Sequence, residues 1–289
     1  MISKNVISLQ KKNSSGESFQ LLNRDNLPIF GTLRTTGPLE NRLVIVVHGL
    51  GGSSRQAQIQ EAAATFADYR CNVLTYDATN SFGNGGGNLK YASLTRHAND
   101  LEDVISWCRK ELKFDGKVIV CGFSMGASAA FVVQRRNRKL INSIIAFAPI
   151  VSGEIWLHNF RISKPGSYER LQAIGSFVKF DEVTNNEGEI GQYFVDDVLK
   201  YDFLKDEILI NVPTYLAGGD LDTTCPPEAL HALKANLKST GRLKIIRGLP
   251  HTARKPQETK LIREFLSSLI HKSKDGIWPQ AEKKTASAR

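Results

Sequence analysis

One serine in this chain has the surroundings that can make a hydroxyl nucleophilic. Ser124 is the centre of the pentapeptide Gly-Phe-Ser-Met-Gly at 122–126, which follows a largely apolar run at 117–121 and precedes four small residues at 127–130. A strand, a Gly-x-Ser-x-Gly turn and a helix, in that order, hold the serine on a sharp turn where its Oγ stands clear of both elements. The pattern therefore predicts that Ser124 is a catalytic nucleophile.

A serine hydroxyl is a poor nucleophile near neutral pH, so it needs a neighbouring base and a third group that orients the base. His251 is the favoured base, because it comes soon after a predicted strand at 243–247. Two carboxylates, Asp220 and Asp222, follow another predicted strand at 213–217 and compete for the orienting role. Four other histidines lie in predicted helices or in an irregular segment and are weaker candidates: His97, His158, His231 and His271.

The tetrahedral intermediate of acyl transfer carries an oxyanion that requires two preorganised donors. The amide of Met125, at the start of the helix that follows the nucleophile, is one candidate. The other donor is expected from the glycine-rich loop at 48–52, which follows a predicted strand at 43–47, and Leu50 is the favoured residue. His48, in the same loop, is expected to be a structural hydrogen-bonding residue rather than the base.

Strand-like and helix-like segments alternate along most of the chain. Strands are predicted at 17–22, 28–35, 43–47, 72–76, 117–121, 141–147, 213–217 and 243–247, and helices at about 55–68, 93–111, after Ser124, 227–237 and 256–271. This alternation predicts an α/β fold with a mainly parallel, doubly wound sheet. Ligands of such folds bind at the carboxyl ends of the strands, and His48, Asp77 and Ser124 all follow strands at that edge.

The regular pattern lapses in one long segment. Residues 1–150 and 206–271 are expected to form a single α/β core, and residues 151–205, which carry many aromatic side chains without sustained periodicity, are expected to form a lid or cap inserted into it. Residues 272–289 are expected to be a basic, flexible C-terminal tail.

Charge and cysteine content argue against several other classes of protein. The 289 residues carry a net charge of +9, but no basic motif with interleaved aromatic residues accompanies it, so nucleic-acid binding is not expected. No apolar run approaches the ~20 residues that cross a bilayer, and no secretory signal is recognisable, which predicts a cytoplasmic protein without a transmembrane segment. The four cysteines lack C-x-x-C spacing and are expected to be packed thiols rather than metal ligands.

Taken together, these motifs resemble those of the α/β hydrolases, and the resemblance extends from about residue 18 to residue 271. It is carried by His-Gly-Leu-Gly-Gly at 48–52, the pentapeptide at 122–126, the segment Gly-Asp-Leu-Asp-Thr-Thr-Cys-Pro at 219–226, and His251. Within that superfamily the chain is most similar to cinnamoyl/feruloyl esterases and to enzymes like monoacylglycerol lipase. Their acid segment commonly reads Gly-x-x-Asp-x-x-Val-Pro, so the resemblance favours Asp222 over Asp220.

The resemblance implies a serine hydrolase that cleaves a carboxylic ester of a small molecule through an acyl-enzyme, with Ser124, His251 and Asp222 as the catalytic triad. Leu50 and Met125 would then supply the oxyanion hole. No metal or organic cofactor is implied. Two alternatives remain open at this stage. The same triad could serve an acyltransferase or a thioesterase, or the fold could belong to a non-catalytic binding protein.

Overall fold

A computed structural model describes residues 10–13, 16–37, 42–181, 183–205, 210–237 and 241–272. Among these residues, nine strands form one sheet in the order β1-β2-β3-β5-β4-β6-β7-β10-β11. Its strands are β1 Gln10–Asn13, β2 Gly16–Leu22, β3 Pro28–Arg34, β4 Arg42–Val47, β5 Asn72–Asp77, β6 Lys117–Phe123, β7 Ser143–Phe147, β10 Thr214–Gly219 and β11 Gly241–Ile246. The helices packed on this sheet are α1 Ala57–Asp68, α2 Leu94–Glu111, α3 Met125–Arg136, α7 Pro227–Asn236 and α8 Pro256–Lys272.

The sheet is antiparallel at one side and parallel through the rest. In the order of the sheet, neighbouring strands pair antiparallel from β1 through β2 and β3 to β5. They pair parallel from β5 through β4, β6, β7 and β10 to β11. The chain leaves β4 for β5 on one side and then crosses to β6 on the other. That reversal opens a crevice at the carboxyl ends of β4 and β6. The predicted mainly parallel, doubly wound sheet is confirmed.

The sheet is covered on both faces, which explains the continuous apolar runs of its central strands. In β4, Leu43, Ile45 and Val47 are buried in the cluster that includes α2, α3 and α7. Val44 and Val46 are buried on the opposite face, in the cluster that includes α1 and α8. A strand with two buried faces cannot alternate with polar residues, so β4 reads as a run of aliphatic side chains.

Most predicted elements lie close to their observed bounds, with two differences in this part of the fold. Strand β1 was not expected. The strand predicted to begin at residue 141 begins at Ser143, because Asn142 makes a local exchange of hydrogen bonds instead. Its backbone N–H donates to the carbonyl oxygen of Val118 and its side chain accepts from the Val118 N–H, both at 2.8 Å.

The segment 151–205, called the insertion from here on, contains regular elements that the sequence pattern did not predict. It contains α4 Gly153–Ser163, α5 Pro165–Ile174, β8 Ser176–Asp181, β9 Asn186–Gly191 and α6 Gln192–Val198. Strands β8 and β9 form an antiparallel pair separate from the main sheet. Its helices are short and largely exposed, so few residues carry the apolar period that reveals a helix in sequence.

Two further predictions concern the cysteines and the chain's end. The four cysteines are buried and unpaired, as expected of packed thiols: Cys71, Cys108, Cys121 and Cys225. Helix α8 ends at Lys272, and the predicted basic tail beyond it lies outside the described residues. No helix within the described ranges is long and apolar enough to span a membrane.

Candidate active site

Ser124 lies on a strained turn between β6 and α3. Its backbone has φ 51° and ψ −121°, a conformation that a residue with a side chain rarely adopts, and α3 begins at the next residue, Met125. The Ser124 N–H donates to the carbonyl oxygen of Phe147 at 2.8 Å, which fixes the turn to the end of β7. Gly126 permits the close approach, because a Cβ there would collide with the carbonyl oxygen of His48.

Three side chains from three separate loops form one chain of hydrogen bonds. The Nε2 atom of His251 lies 3.1 Å from Ser124 Oγ, and its Nδ1 atom lies 2.8 Å from Asp222 Oδ2. A carboxylate can only accept, so Nδ1 carries the proton and Nε2 is the acceptor for the serine hydroxyl. The Asp222 side chain is 0% exposed and that of His251 is 23% exposed, so the chain runs from the interior to a solvent-accessible serine.

The two carboxylates that the spacing left in competition have different surroundings. The Oδ1 atom of Asp222 accepts the N–H groups of Thr224 and Cys225, both at 2.8 Å, which leaves Oδ2 for the imidazole. Asp220 is exposed, and its Oδ1 accepts the N–H of Gly248 at 2.7 Å. Asp220 therefore joins the acid loop to the loop that leads to the histidine, without touching the imidazole itself.

Cys225 lies beside the acid but adds no charge to it. Burial raises the pKa of the Cys225 thiol well above its ordinary value, and the neighbouring Asp222 carboxylate raises it further. The thiol is therefore neutral, and its backbone N–H is the group that contacts Asp222. Across the described ranges, no three His, Cys, Asp or Glu side chains are grouped so that they could hold a metal ion.

His48 is bonded into the structure at both ring nitrogens. The Ala78 N–H donates to its Nε2 at 3.1 Å, so its Nδ1 carries the proton and donates to the carbonyl oxygen of Gly49 at 2.8 Å. His97 donates from Nε2 to the His48 carbonyl oxygen at 2.8 Å. Burial lowers the pKa of His48 and lowers that of His97 to about 3. Two neutral, buried imidazoles therefore hold the start of the loop at 48–52.

That loop passes directly over the nucleophile. A Cβ on Gly49 would lie 3.1 Å from the Cβ of Ser124. The loop backbone therefore passes so near to the serine that a side chain at residue 49 would be crowded. The Gly52 N–H donates to the Gly49 carbonyl oxygen at 3.1 Å and closes a turn with Leu50 at its centre. The first amide of α3, that of Met125, follows the serine on the other side.

Asp77, the last residue of β5, joins the loop that follows β5 to the chain just after the loop at 48–52, a role that the sequence did not specify. Its Oδ1 accepts the Ser54 N–H at 2.7 Å and its Oδ2 accepts the Asn84 N–H at 2.8 Å. Behind it, the buried Asp100 accepts both the N–H and the hydroxyl of Thr79, at 2.7 and 2.8 Å. Both aspartates position loops, and neither contacts the serine or its histidine.

A cavity of about 490 Å³ opens onto Ser124 and His251. Its wall on the side of the insertion is aromatic, and Trp156 and Phe160 of α4 stack at a centroid distance of 5.0 Å. Phe177 of β8 continues the wall, 4.7 Å from Phe160. The aromatic content of residues 151–205 indicated a lid, but no motif singled out these three residues. The available signal was the spacing of four between Trp156 and Phe160, which puts both on one face of a helix.

The insertion is anchored on α2 and on the core. The N–H and hydroxyl of Thr95, in the first turn of α2, donate to the carboxylate of Asp197 in α6 at 2.8 and 2.7 Å. The Tyr201 hydroxyl lies 2.6 Å from the same threonine hydroxyl. An isolated bridge between Ser152 and Asp202 ties the two ends of the insertion together. The cavity wall is therefore held in place by polar contacts as well as by ring packing.

The fold agrees with that of the proteins to which the chain is similar. The family model described as Serine aminopeptidase, S33 (Hydrolase_4) matches residues 40–197, more than half of the chain. The chain therefore belongs to this family of α/β hydrolases, which confirms the superfamily that its motifs resemble. No curated protein sequence matches it significantly.

Solved structures of low sequence identity share the fold. Est1E from Butyrivibrio proteoclasticus, with ferulic acid bound, has a TM-score of 0.72 at 18% identity over 86% of this chain and 96% of that one. Alpha/beta hydrolase domain-containing protein 10 from mouse has a TM-score of 0.67 at 13% identity, with coverages of 88% and 98%. Esterase Pf2001 from Pyrococcus furiosus has a TM-score of 0.67 at 18% identity, with coverages of 88% and 89%.

Proposed function

We propose that this protein is a serine hydrolase that cleaves a carboxylic ester through an acyl-enzyme intermediate. The observation that carries the proposal is the continuous hydrogen-bonded path from Ser124 through His251 to the buried Asp222. Such a path supplies a nucleophile, a base and the group that orients the base. Both distances along this path are those of ordinary hydrogen bonds.

In the proposed reaction, Ser124 Oγ attacks the ester carbonyl carbon while His251 Nε2 takes the hydroxyl proton. Asp222 holds the imidazole in the required tautomer and stabilises the imidazolium that forms. Collapse of the tetrahedral intermediate breaks the bond to the alcohol oxygen, which receives the proton from Nε2. A water molecule then attacks the acyl-enzyme by the same route and releases the carboxylic acid and the free serine.

The oxyanion of each tetrahedral intermediate is proposed to be bound by the amides of Leu50 and Met125. Two features support this assignment. The turn around Leu50 lies over the serine, and the Met125 amide is at the N-terminus of α3, where N–H groups lack helical partners and favour negative charge. The buried pair of His48 and His97 holds the first of these donors in place without taking part in the chemistry.

The walls of the cavity favour an ester over a peptide with a free amino terminus. A site for an α-ammonium group needs a carboxylate to pair with it. Among the described residues that line the cavity there is no Asp or Glu, although the family's name includes an aminopeptidase. The aromatic wall formed by Trp156, Phe160 and Phe177 suits an apolar acyl group, and the insertion is proposed to act as a cap over it.

The experiment that tests the proposal is labelling with a fluorophosphonate probe, followed by hydrolysis of p-nitrophenyl esters of increasing chain length. We expect wild type to be labelled and to hydrolyse at least one ester. Ser124→Ala should lose labelling, and both Ser124→Ala and His251→Ala should lose about 10⁴-fold or more of the hydrolysis rate.

Matched controls are available on the surface. Ser106→Ala in α2 and His231→Ala in α7 replace exposed residues of the same types away from the cavity, and both should behave as wild type. A Ser124→Ala protein that is folded and still labelled, or still active at the rate of wild type, would rule the proposal out. Adding competing alcohols or thiols and analysing the products tests whether water is the acceptor.

A further inference from the structure

The cavity is strongly asymmetric in charge, and the proposed chemistry does not use that asymmetry. Three cationic side chains belong to residues that line it, Lys164, Lys179 and Arg254, whereas no described lining residue is a carboxylate. The triad acid does not offset them at the surface, because the Asp222 side chain is fully buried behind His251. A concave surface that carries one sign of charge focuses the field and attracts ligands of the opposite sign.

The three cations belong to different elements, two in the insertion and one in the core. Lys164 joins α4 to α5, one turn beyond Phe160 of the aromatic wall. Lys179 is in β8, and its side chain lies over the loop at 48–52, since a Cβ on Gly51 would lie 3.1 Å from the Cγ of Lys179. Arg254 lies three residues beyond His251.

The backbone of the loop at 48–52 accommodates Lys179. Gly51 has φ +56°, in the region that favours glycine, and the lysine stem occupies the space that a side chain would otherwise take. Lys179 therefore runs beside the residue that follows Leu50, the proposed oxyanion donor. Glu258, which is not among the lining residues, accepts the Arg254 backbone N–H at 2.8 Å, and that bond, with a smaller contribution from the Arg254 charge, lowers the pKa of Glu258. Both lysines belong to the insertion, so the charge faces the nucleophile from that side.

We infer that the substrate of the proposed hydrolase is an ester that carries an anionic group, a carboxylate or a phosphate, held at the cavity mouth by Lys164, Lys179 and Arg254. The inference rests on the proposed function and adds a substrate class to it. The apolar part of the substrate packs against the aromatic wall, and the anion lies toward the three cationic side chains, of which Lys164 and Arg254 are exposed and Lys179 is half-buried. A neutral ester of the same size fits the wall but forgoes the charge interaction.

The anion could belong to the acyl group or to the alcohol, and the position of each cation separates these cases. His251 returns its proton to the leaving alcohol, so Arg254, in the loop that continues from His251, is on the alcohol's side. Lys164, next to the aromatic wall, is on the side proposed for the acyl group. Substitution of one cation should therefore affect one class of anionic ester more than the other.

The test compares kcat/KM for two matched pairs of esters. The acyl pair is p-nitrophenyl hexanoate and the p-nitrophenyl monoester of adipic acid. The alcohol pair is 4-carbamoylphenyl hexanoate and 4-carboxyphenyl hexanoate. Each is measured with wild type, Lys164→Gln, Lys179→Gln and Arg254→Gln. Lys139→Gln is the control, because it removes one exposed charge beyond the carboxyl end of α3, the end opposite the nucleophile.

We expect wild type to prefer the anionic member of at least one pair, with a ratio that falls as salt is added, because exposed charges are screened. Substitution of the cation on the side of the preferred anion should lower that ratio about two- to five-fold, the range for a partly exposed charge pair, and Lys139→Gln should leave it unchanged. The pair that responds identifies which part of the substrate is anionic.

The outcomes separate the inference from the function on which it rests. If neutral esters are hydrolysed and the ratios are the same in wild type and all three cavity variants, the anionic substrate class is wrong while the hydrolase stands. If no ester is hydrolysed and Ser124 is not labelled, both are overturned. A ratio that falls equally in Lys139→Gln would assign the effect to net charge and overturn the proposed subsite.

Discussion

The cavity beside Ser124 and His251 has a core side and a side formed by the insertion, and the two are held together by different kinds of contact. On the core side, the reacting groups occupy loops at the ends of buried parallel strands, and each loop is bonded to the next: Ser124 to Phe147, Asp220 to Gly248, and His97 to His48. On the side of the insertion, short helices and one hairpin pack through aromatic rings and a small number of polar anchors. The core side therefore carries the candidate catalytic residues, whereas the insertion contributes the aromatic wall and two of the three cations that line the cavity.

The comparison implies that substitutions on the core side change the rate for every ester, whereas those in the insertion change which ester is preferred. On the core side, the buried carboxylates of Asp77 and Asp222 accept backbone N–H groups and so fix the loops around them. In the insertion, Lys164 is exposed and Lys179 is half-buried, and we expect their replacement to have less consequence for folding. Each prediction below tests this division, starting with the largest expected effect.

The largest effect is expected at the acid. Asp222→Asn keeps the size of the side chain but places an amide where the carboxylate accepts a hydrogen bond from His251 Nδ1–H. The imidazole would then be held in the wrong tautomer. We expect kcat/KM to fall by about 10⁴-fold for all esters, with an unfolding free energy close to that of wild type. Stopped-flow or steady-state hydrolysis of a short p-nitrophenyl ester measures this.

Asp220→Asn is the matched control for that substitution. Its carboxylate is exposed and accepts the Gly248 N–H, and an asparagine oxygen can accept the same bond. Activity should stay within about three-fold of wild type, since a surface change of this kind is usually worth a few tenths of a kcal/mol. Equal losses in the two variants would contradict the assignment of Asp222 as the orienting acid.

The elements of the core side were also the ones that could be predicted from the sequence. A strand buried on both faces, such as β4, must be continuously apolar, and a nucleophile turn must carry glycine at 122 and 126, so both leave a local pattern. Spacing alone could not choose between Asp220 and Asp222, because the choice depends on contacts with residues some thirty positions away. The resemblance favoured Asp222, and the catalytic roles of the triad residues, like those of Leu50 and Met125, remain predictions.

The insertion left a weaker pattern for a physical reason. Helix α4 buries two aromatic residues, α5 buries only Leu171, and the hairpin lies outside the main sheet, so neither a helical nor a strand period is sustained over enough residues. Its anchors are polar contacts between distant residues, such as Thr95 with Asp197. The cavity charge was equally invisible, because Lys164, Lys179 and Arg254 become neighbours of one space only in the fold.

The next largest effect is a pH dependence that belongs to the core side. Burial lowers the pKa of His97 to about 3 from its ordinary value of 6.5, so between these values the unfolded chain binds a proton that the folded protein does not. The free energy of unfolding should therefore fall as the pH falls below about 6.5, by up to about 1.4 kcal/mol per pH unit from this site. The lowered pKa of the neighbouring His48 acts in the same direction.

His97→Gln isolates this contribution, because its amide can still donate to the His48 carbonyl oxygen but does not titrate. Urea unfolding at a series of pH values from about 6.5 to about 4.5 should give a shallower loss of stability for His97→Gln than for wild type. His231→Gln, which replaces an exposed histidine in α7, should keep the wild-type slope. Identical slopes for His97→Gln and wild type would show that His97 does not titrate differently on unfolding.

The smallest effect is expected where the insertion is anchored. Asp197→Ala leaves the Thr95 N–H and hydroxyl without their carboxylate and should lower the free energy of unfolding by about 1–3 kcal/mol. Because the triad lies on the core side, the rate of fluorophosphonate labelling at Ser124 should stay within a few-fold of wild type, while KM rises most for esters long enough to contact the aromatic wall. Asp196→Ala removes an exposed carboxylate one residue away and should change neither quantity. An Asp197→Ala protein that loses labelling as completely as it loses long-ester binding would show that the insertion also holds the catalytic groups, and the division between the two sides would have to be abandoned.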